Sequence, residues 1–136
     1  MRVSVCIDDL GGMMFNHRRV SRDREVVADV CRDTADGRLY SSEYSAPLFA
    51  EADIQPIADG DFLDMAKDND LCFVESEALM PYLPKITVLT VYKWNRRYPS
   101  DVKLDIEPEK SGFKLASVTE FAGYSHEKIT KEVYVK

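Results

Sequence analysis

"DLCFVESEALMPYLPKITVLTVYKW", residues 70–94, is the stretch whose reading decides the fold. Leu71-Cys72-Phe73-Val74 is a short run with no polar residue, as in a strand buried on both faces of a central sheet. Ser76 to Met80 has room for one helical turn before Pro81. Residues 86–94, ITVLTVYKW, form the clearest strand pattern in the chain, rich in β-branched and aromatic residues.

Working outward, residues 2–8 alternate, with Val3, Val5 and Ile7 on one face and Arg2, Ser4 and Cys6 on the other. Asp9 and the Gly11–Gly12 pair stop that strand. Residues 21–33 read as a helix. Ser21 can cap it, Asp23 and Glu25 suit its first turn, and Val26, Val27, Val30 and Cys31 make one apolar stripe. Asp36–Gly37 reads as a turn, and Arg38-Leu39-Tyr40 as a short strand. Ser42 or Ser45 can cap a short helix over 46–51. Residues 53–60 read as a loop, and Asp61 as the cap of a helix through Phe62, Leu63, Met65 and Ala66. Residues 95–112, with Pro99, Pro108 and Gly112, read as irregular. FKLASV (113–118) and KEVYV (131–135) read as two closing strands.

This order predicts one α/β domain over residues 1–136. Its sheet is mixed and mainly parallel, with helices on both faces and a C-terminal antiparallel strand pair. A chain of 136 residues can bury a core without disulfide staples. Its 45% apolar and 31% charged residues suit a globular protein. A net charge of −6 argues against a dedicated duplex-DNA or anionic-membrane binder. Cys6, Cys31 and Cys72 are odd in number, scattered and set in apolar stretches, so they form no disulfide framework. Reduced thiols, no leader-like N-terminus and no apolar run of membrane-spanning length together predict a cytoplasmic protein without a membrane partner.

Metal chemistry finds little support. There is no C-x-x-C, H-x-H or H-E-x-x-H, and His17 and His126 are each alone in their segments. No metal site is expected; Asp8 and Asp9 read as turn residues. Gly11–Gly12 lies between a strand and a helix, as a phosphate loop does, but neither G-x-G-x-x-G nor G-x-x-x-x-G-K-[ST] is present. No cofactor is expected.

Positive charge gathers where the helix begins: Arg18, Arg19, Arg22 and Arg24. Arginines in a first turn oppose the helix dipole unless something negative lies beside them. Two readings stay open. Asp8, Asp9, Asp23 and Glu25 can pair with them, or an oxyanion can bind there, held by Arg18, Arg19, Ser21, Arg22 and the helix start, with Asp23 beside it.

A second patch is YSHEKIT, residues 124–130. Ser125, His126, Glu127 and Lys128 supply a hydroxyl, an imidazole, a carboxylate and an ammonium in succession. His126 suits proton transfer and Lys128 suits phosphate charge. With His17 they form the parts of a metal-independent phosphodiesterase. No G-x-S-x-G elbow supports acyl transfer. In Trp94-Asn95-Arg96-Arg97-Tyr98-Pro99 the aromatics can stack a ring, or Trp94 can simply end a buried strand before Pro99 turns the chain.

The layout resembles a truncated dihydrofolate reductase fold. The first strand, the glycine loop and the helix near Asp23 resemble that family's opening. Residues 70–74 with LMPYLPKITVLTVYKW resemble its later strand, helical turn and long strand; Tyr98-Pro99, FKLASVTEFAG and KEVYVK resemble its bend and closing pair. Where that family keeps a Gly-Gly pair near the cofactor phosphates, this chain has Glu75-Ser76-Glu77, and its Gly-Arg-x-Thr turn is replaced by residues 41–45. The resemblance implies a scaffold that turns over neither NADPH nor dihydrofolate, with Asp23 or Glu25 near the place of the substrate-binding carboxylate.

The chain also resembles a small family of bacterial proteins of similar length that goes by the label ribonuclease Z. The segments are Phe15 to Arg24, Tyr92 to Arg96 and Glu120 to Thr130. The zinc enzymes of that name use an H-x-H-x-D-H motif, which two isolated histidines cannot supply. Two functions are therefore expected. The first is binding of a small anion or nucleotide, or a protein partner, at the arginine-rich helix start. The second is metal-independent ribonuclease or phosphodiesterase action on RNA, with His126, Lys128, Glu127 and His17 as candidate catalytic groups.

Overall fold

The computed structural model describes residues 1–34 and 37–136. Leu71–Val74 (β6) and Val88–Lys93 (β7) flank Arg2–Ile7 (β1), and all three run parallel. In register, Val3 faces Cys72 on one side and Leu89 on the other, so three small apolar side chains line one face at that level. The sheet order is β5-β4-β6-β1-β7-β10-β9, where β4 is Leu39–Ser41 and β5 is Ile57–Ala58. Ile129–Val135 (β10) joins β7 antiparallel, and Lys114–Phe121 (β9) pairs with β10 at the edge. The mixed, mainly parallel sheet and its closing antiparallel pair match the reading of the sequence.

The sheet separates two apolar clusters. One holds Val3, Val5, Cys72, Val74, Leu89 and Val91 under the short helix Phe62–Met65 (α2) and the 3-10 segment Met80–Lys85. The other holds Leu71, Phe73, Tyr92 and Trp94 under Arg24–Asp33 (α1) and the 3-10 turn Ala46–Phe49. Strand alternation sends successive residues of β6 and β7 to opposite clusters. Helical elements thus cover both faces.

Several local expectations need correction. The helix starts at Arg24, not at Ser21, because Asp23 is the cap: its backbone is extended and its carboxylate accepts the Glu25 N–H. A carboxylate there both satisfies a donor and meets the dipole, which a serine hydroxyl does only in part. Residues 11–20 hold more than a turn. Gly12–Phe15 (β2) and Arg18–Arg19 (β3) form a hairpin, and β2 also pairs with Val102–Lys103 (β8), within the stretch read as irregular. The short helix expected over 46–51 is a 3-10 turn, and neither Ser45 nor Asp61 caps by its side chain. The only strand among the described residues between Phe49 and Asp70 is β5, two residues long. The two last strands are longer than expected, reaching Phe121 and starting at Ile129. Of the expected Asp36–Gly37 turn, Asp36 lies outside the described residues.

Gly11 has φ +81, the left-handed conformation that lets the chain leave β1 and re-enter as β2. Asp8 closes that turn by accepting N–H bonds from Leu10 at 2.9 Å and Gly12 at 2.6 Å, and it also accepts the Tyr98 N–H at 2.9 Å. A turn-forming carboxylate so engaged is not free for a metal ion. Cys6, Cys31 and Cys72 are all unpaired thiols. No helix of the described residues is long and apolar enough to cross a membrane.

Candidate functional site

Residues 21–23 and 123–126 meet over the end of β7. Asp23 is buried and lies at the centre. Its Oδ1 accepts the N–H of Glu25 and of Tyr124, each at 2.9 Å. Its Oδ2 accepts the N–H of Ser125 at 2.9 Å and of His126 at 3.2 Å, and His126 Nδ1 lies 2.9 Å away. Burial acts to raise the Asp23 pKa. The hydrogen bonds from Tyr124, His126, Glu25 and Ser125 outweigh it and hold the carboxyl well below the usual range.

The His126 ring is fixed on every side. Trp94 stacks on it with centroids 4.5 Å apart. Its Nε2 lies 2.8 Å from Ser21 Oγ and 3.2 Å from the Tyr98 hydroxyl. With Nδ1 turned to the Asp23 carboxylate, Nε2 is the ring nitrogen that these two hydroxyls meet. Gly123 makes the closure possible, since a Cβ there would lie 2.6 Å from Asp23 Oδ2 and 2.8 Å from the His126 carbonyl. Arg24 then covers the Tyr124 ring, its guanidinium carbon 4.4 Å from the centroid.

The arginines divide. Arg19 donates to both oxygens of Glu75, at 2.8 and 2.9 Å, and Ser45 Oγ donates to the same carboxylate at 2.7 Å. Arg18 and Arg19 line a hollow of about 420 Å³ with Phe15, Val20, Tyr98 and Pro99. Arg22 and Arg24 line a larger one of about 840 Å³ between α1 and residues 47–54, floored by Val27, Ala28, Leu48 and Ile54. Among the described residues, Arg18, Arg22 and Arg24 form no salt bridge. The acids nearest in sequence are engaged elsewhere or unpaired with them: Asp8 and Asp23 serve backbone N–H groups, and no ion pair joins Asp9 or Glu25 to an arginine.

The second patch does not act as one unit. His126 faces inward, Glu127 is exposed, and Lys128 pairs with Glu120 at 3.0 Å on the surface. His17 sits exposed at the tip of the β2–β3 hairpin with φ +65, beside Asn16 at φ +49. Consecutive positive φ values there make a two-residue turn of the kind that favours glycine at its second position. His17 makes no contact with the His126 cluster among the hydrogen bonds of the described residues. His17→Gly is therefore expected to leave the cluster intact and to raise stability by up to about 1 kcal/mol. A denaturant melt checks this, and a loss of stability would show that the ring has a partner.

Sequence reading found Ser21, Asp23 and His126 separately but not together, and it missed Tyr98, Ser125 and Gly123 as their partners and Glu75 as the partner of Arg19. The available signal was Gly123 two residues before a serine–histidine pair, which marks a loop pressed against something. Among the described residues no group of three or more His, Cys, Asp or Glu side chains could hold a metal ion.

Comparison with protein-family models and with curated proteins finds no match. Among solved structures, dihydrofolate reductase from Enterococcus faecalis, complexed with NADP(H) and RAB-propyl, superposes with a TM-score of 0.68. The identity is 9%, and the match covers 98% of this chain and 94% of that one. The nucleotide cofactor of that neighbour does not fit the residues here. Glu75 is buried and closed onto Arg19 and Ser45, and Ser76 hydrogen-bonds Glu77, so this turn offers carboxylates rather than open N–H groups. The Glu75 charge is offset by Arg19. The chain has a dihydrofolate reductase-like fold, and at 9% identity the likeness speaks for the fold alone.

Proposed function

We propose that the protein binds a small ligand carrying a phosphate or carboxylate, in the hollow between the start of α1 and residues 47–54. One observation carries this reading: Arg22 and Arg24 line a hollow of about 840 Å³ with no carboxylate paired to either among the described residues. Asp23 and Glu25 already meet the helix dipole, so the two guanidiniums keep donors to spare for a further anion. They offer bidentate donors that match phosphate and carboxylate. Val27, Ala28, Leu48 and Ile54 supply an apolar floor for the rest of such a ligand. Glu25, Glu51 and Asp53 also line the hollow, so a ligand with donors beyond its anionic group fits best. Arg18 lines the neighbouring hollow as a further cation with no ion pair among the described residues, while Arg19 is committed to Glu75.

The ribonuclease reading gains nothing from this geometry, because His17 and Lys128 lie outside the His126 cluster. Thermal melts test the proposal. At low salt, inorganic phosphate or a nucleoside monophosphate at about tenfold its Kd stabilises by about 1.4 kcal/mol. That raises Tm by roughly 4 °C for a domain of this size. Arg22→Ala and Arg24→Ala are expected to abolish the rise. An unchanged wild-type Tm with both ligands at millimolar concentration would set the reading aside.

A further inference from the structure

We propose that Ser21 is the nucleophile of a serine hydrolase site, activated by His126, oriented by Asp23, and acting on small carboxylic esters. The geometry is a relay of three groups from two segments far apart in sequence. Asp23 Oδ2 lies 2.9 Å from His126 Nδ1, and His126 Nε2 lies 2.8 Å from Ser21 Oγ. Both distances suit strong hydrogen bonds. The roles follow from chemistry rather than from chain order. A buried carboxylate fixes the tautomer and orientation of the imidazole, whose other nitrogen then accepts the serine proton.

Each member is held for its task. Asp23 is fixed by four backbone N–H groups, so it stays in place as an anion. His126 is locked by the Trp94 stack. Ser21 is only half-buried, as a nucleophile must be to reach its substrate. It lies between the two hollows: Val20 lines the smaller and Arg22 the larger. The smaller hollow, about 420 Å³, also reaches Tyr98, whose hydroxyl is 3.2 Å from His126 Nε2. An acyl group seated against Val20, Tyr98 and Pro99 therefore lies beside the base. Among the described residues the N–H groups of Ser21 and Arg22 make no backbone hydrogen bond, so both stay available as donors.

The Ser21 O–H bond breaks, its proton passes to His126 Nε2, and the Oγ electron pair forms a bond to the ester carbonyl carbon. The carbonyl π pair moves to oxygen. When that pair returns, the bond to the alkoxy group breaks, and the leaving oxygen takes the proton from His126. Water then attacks the acyl-Ser21 ester by the same path, giving a carboxylic acid and free Ser21. No metal, oxidant or reductant takes part. The inference does not depend on ligand binding beside Arg22, and the variants that test it leave Arg22 and Arg24 in place.

The test treats the full chain with a fluorophosphonate, which phosphonylates base-activated serines, and separately with p-nitrophenyl acetate. The expected result is one adduct per chain, mapped to Ser21 by peptide mass spectrometry, and a stoichiometric burst of p-nitrophenol. Ser21→Ala removes one hydrogen bond and is expected to fold, to take no adduct and to lose at least about 100-fold in ester turnover. The inference is overturned if wild-type protein takes no adduct while a known serine esterase reacts alongside it. An adduct mapped to any residue other than Ser21 also overturns it. The wild-type mapping decides the matter even where a variant fails to fold.

Discussion

Replacing Asp23 by alanine is expected to lower stability by about 4 kcal/mol, a large share of the 5–15 kcal/mol of an ordinary domain. One carboxylate caps α1, anchors residues 124–126 and holds the His126 ring. Its removal leaves buried N–H groups of the helix start and of the loop without acceptors, each worth roughly 1–3 kcal/mol when wholly unpaired. Relaxation of the exposed part of the loop offsets some of that sum. Asp23→Asn is a sharper control. It keeps the shape but turns an NH₂ group toward donors, so it is expected to fall close to the alanine variant rather than midway to wild type. Denaturant unfolding with an unchanged m-value checks both. A loss under 1 kcal/mol for alanine would mean that water replaces the carboxylate at little cost.

The same residue sets the acid limit of stability. The folded-state pKa of Asp23 is depressed, as are those of Asp8 and Asp29. For Asp8 burial acts upward and the N–H bonds from Tyr98, Gly12 and Leu10 outweigh it. For Asp29 burial is likewise outweighed, by Lys131 and Tyr92. A depressed carboxyl contributes stability that is fully present above the unfolded value, about 3.9. That contribution is lost as pH falls through the folded value. These groups therefore add nothing to pH dependence near neutrality and give a decline beginning below about pH 4–5. In Asp23→Ala that decline is expected to be shallower.

How much of this was legible beforehand differs by level. β1, β6 and β7 announce themselves because buried parallel strands read as apolar runs, and nothing else in a chain of this size explains LCFV beside ITVLTVYKW. The cap of α1 was ambiguous because Ser21 and Asp23 are both good cap residues two positions apart. What decides between them is His126, 105 residues beyond Ser21 in sequence, which takes the serine hydroxyl and leaves the carboxylate for the helix. The β2–β3 hairpin was hidden because its turn uses Asn16–His17 rather than Asn–Gly, and its partner β8 is only two residues long. Glu75 shows in the sequence only as a residue standing where a glycine pair is expected. Whether a carboxylate repels a ligand or closes onto an arginine depends on which strand lies beside it, and no spacing rule links Arg19 to Glu75.

Substitutions at that pair are expected to be strongly non-additive. Glu75 is 8% exposed and Arg19 donates two hydrogen bonds to it, with Ser45 supplying a third. Arg19→Ala strands a buried carboxylate, and Glu75→Ala strands a half-buried guanidinium and the Ser45 hydroxyl. Each is expected to cost about 3–5 kcal/mol, because breaking a buried pair leaves its partner's desolvation uncompensated. Replacing both, Arg19→Met with Glu75→Leu, removes that uncompensated charge together with the attraction. Such exchanges are often neutral or better. The double variant is expected to lie within about 1–2 kcal/mol of wild type, so the coupling energy is several kcal/mol. Additive losses in a double-mutant cycle would show that the two side chains do not act as a pair. The cycle also separates two uses of arginine in this segment. Arg19 loses its effect when its acid partner is removed with it, because its role is internal. Among the described residues Arg22 has no acid partner, so Arg22→Ala is expected to leave the unliganded protein within about 0.5 kcal/mol of wild type. Its effect is expected only when an oxyanion is added.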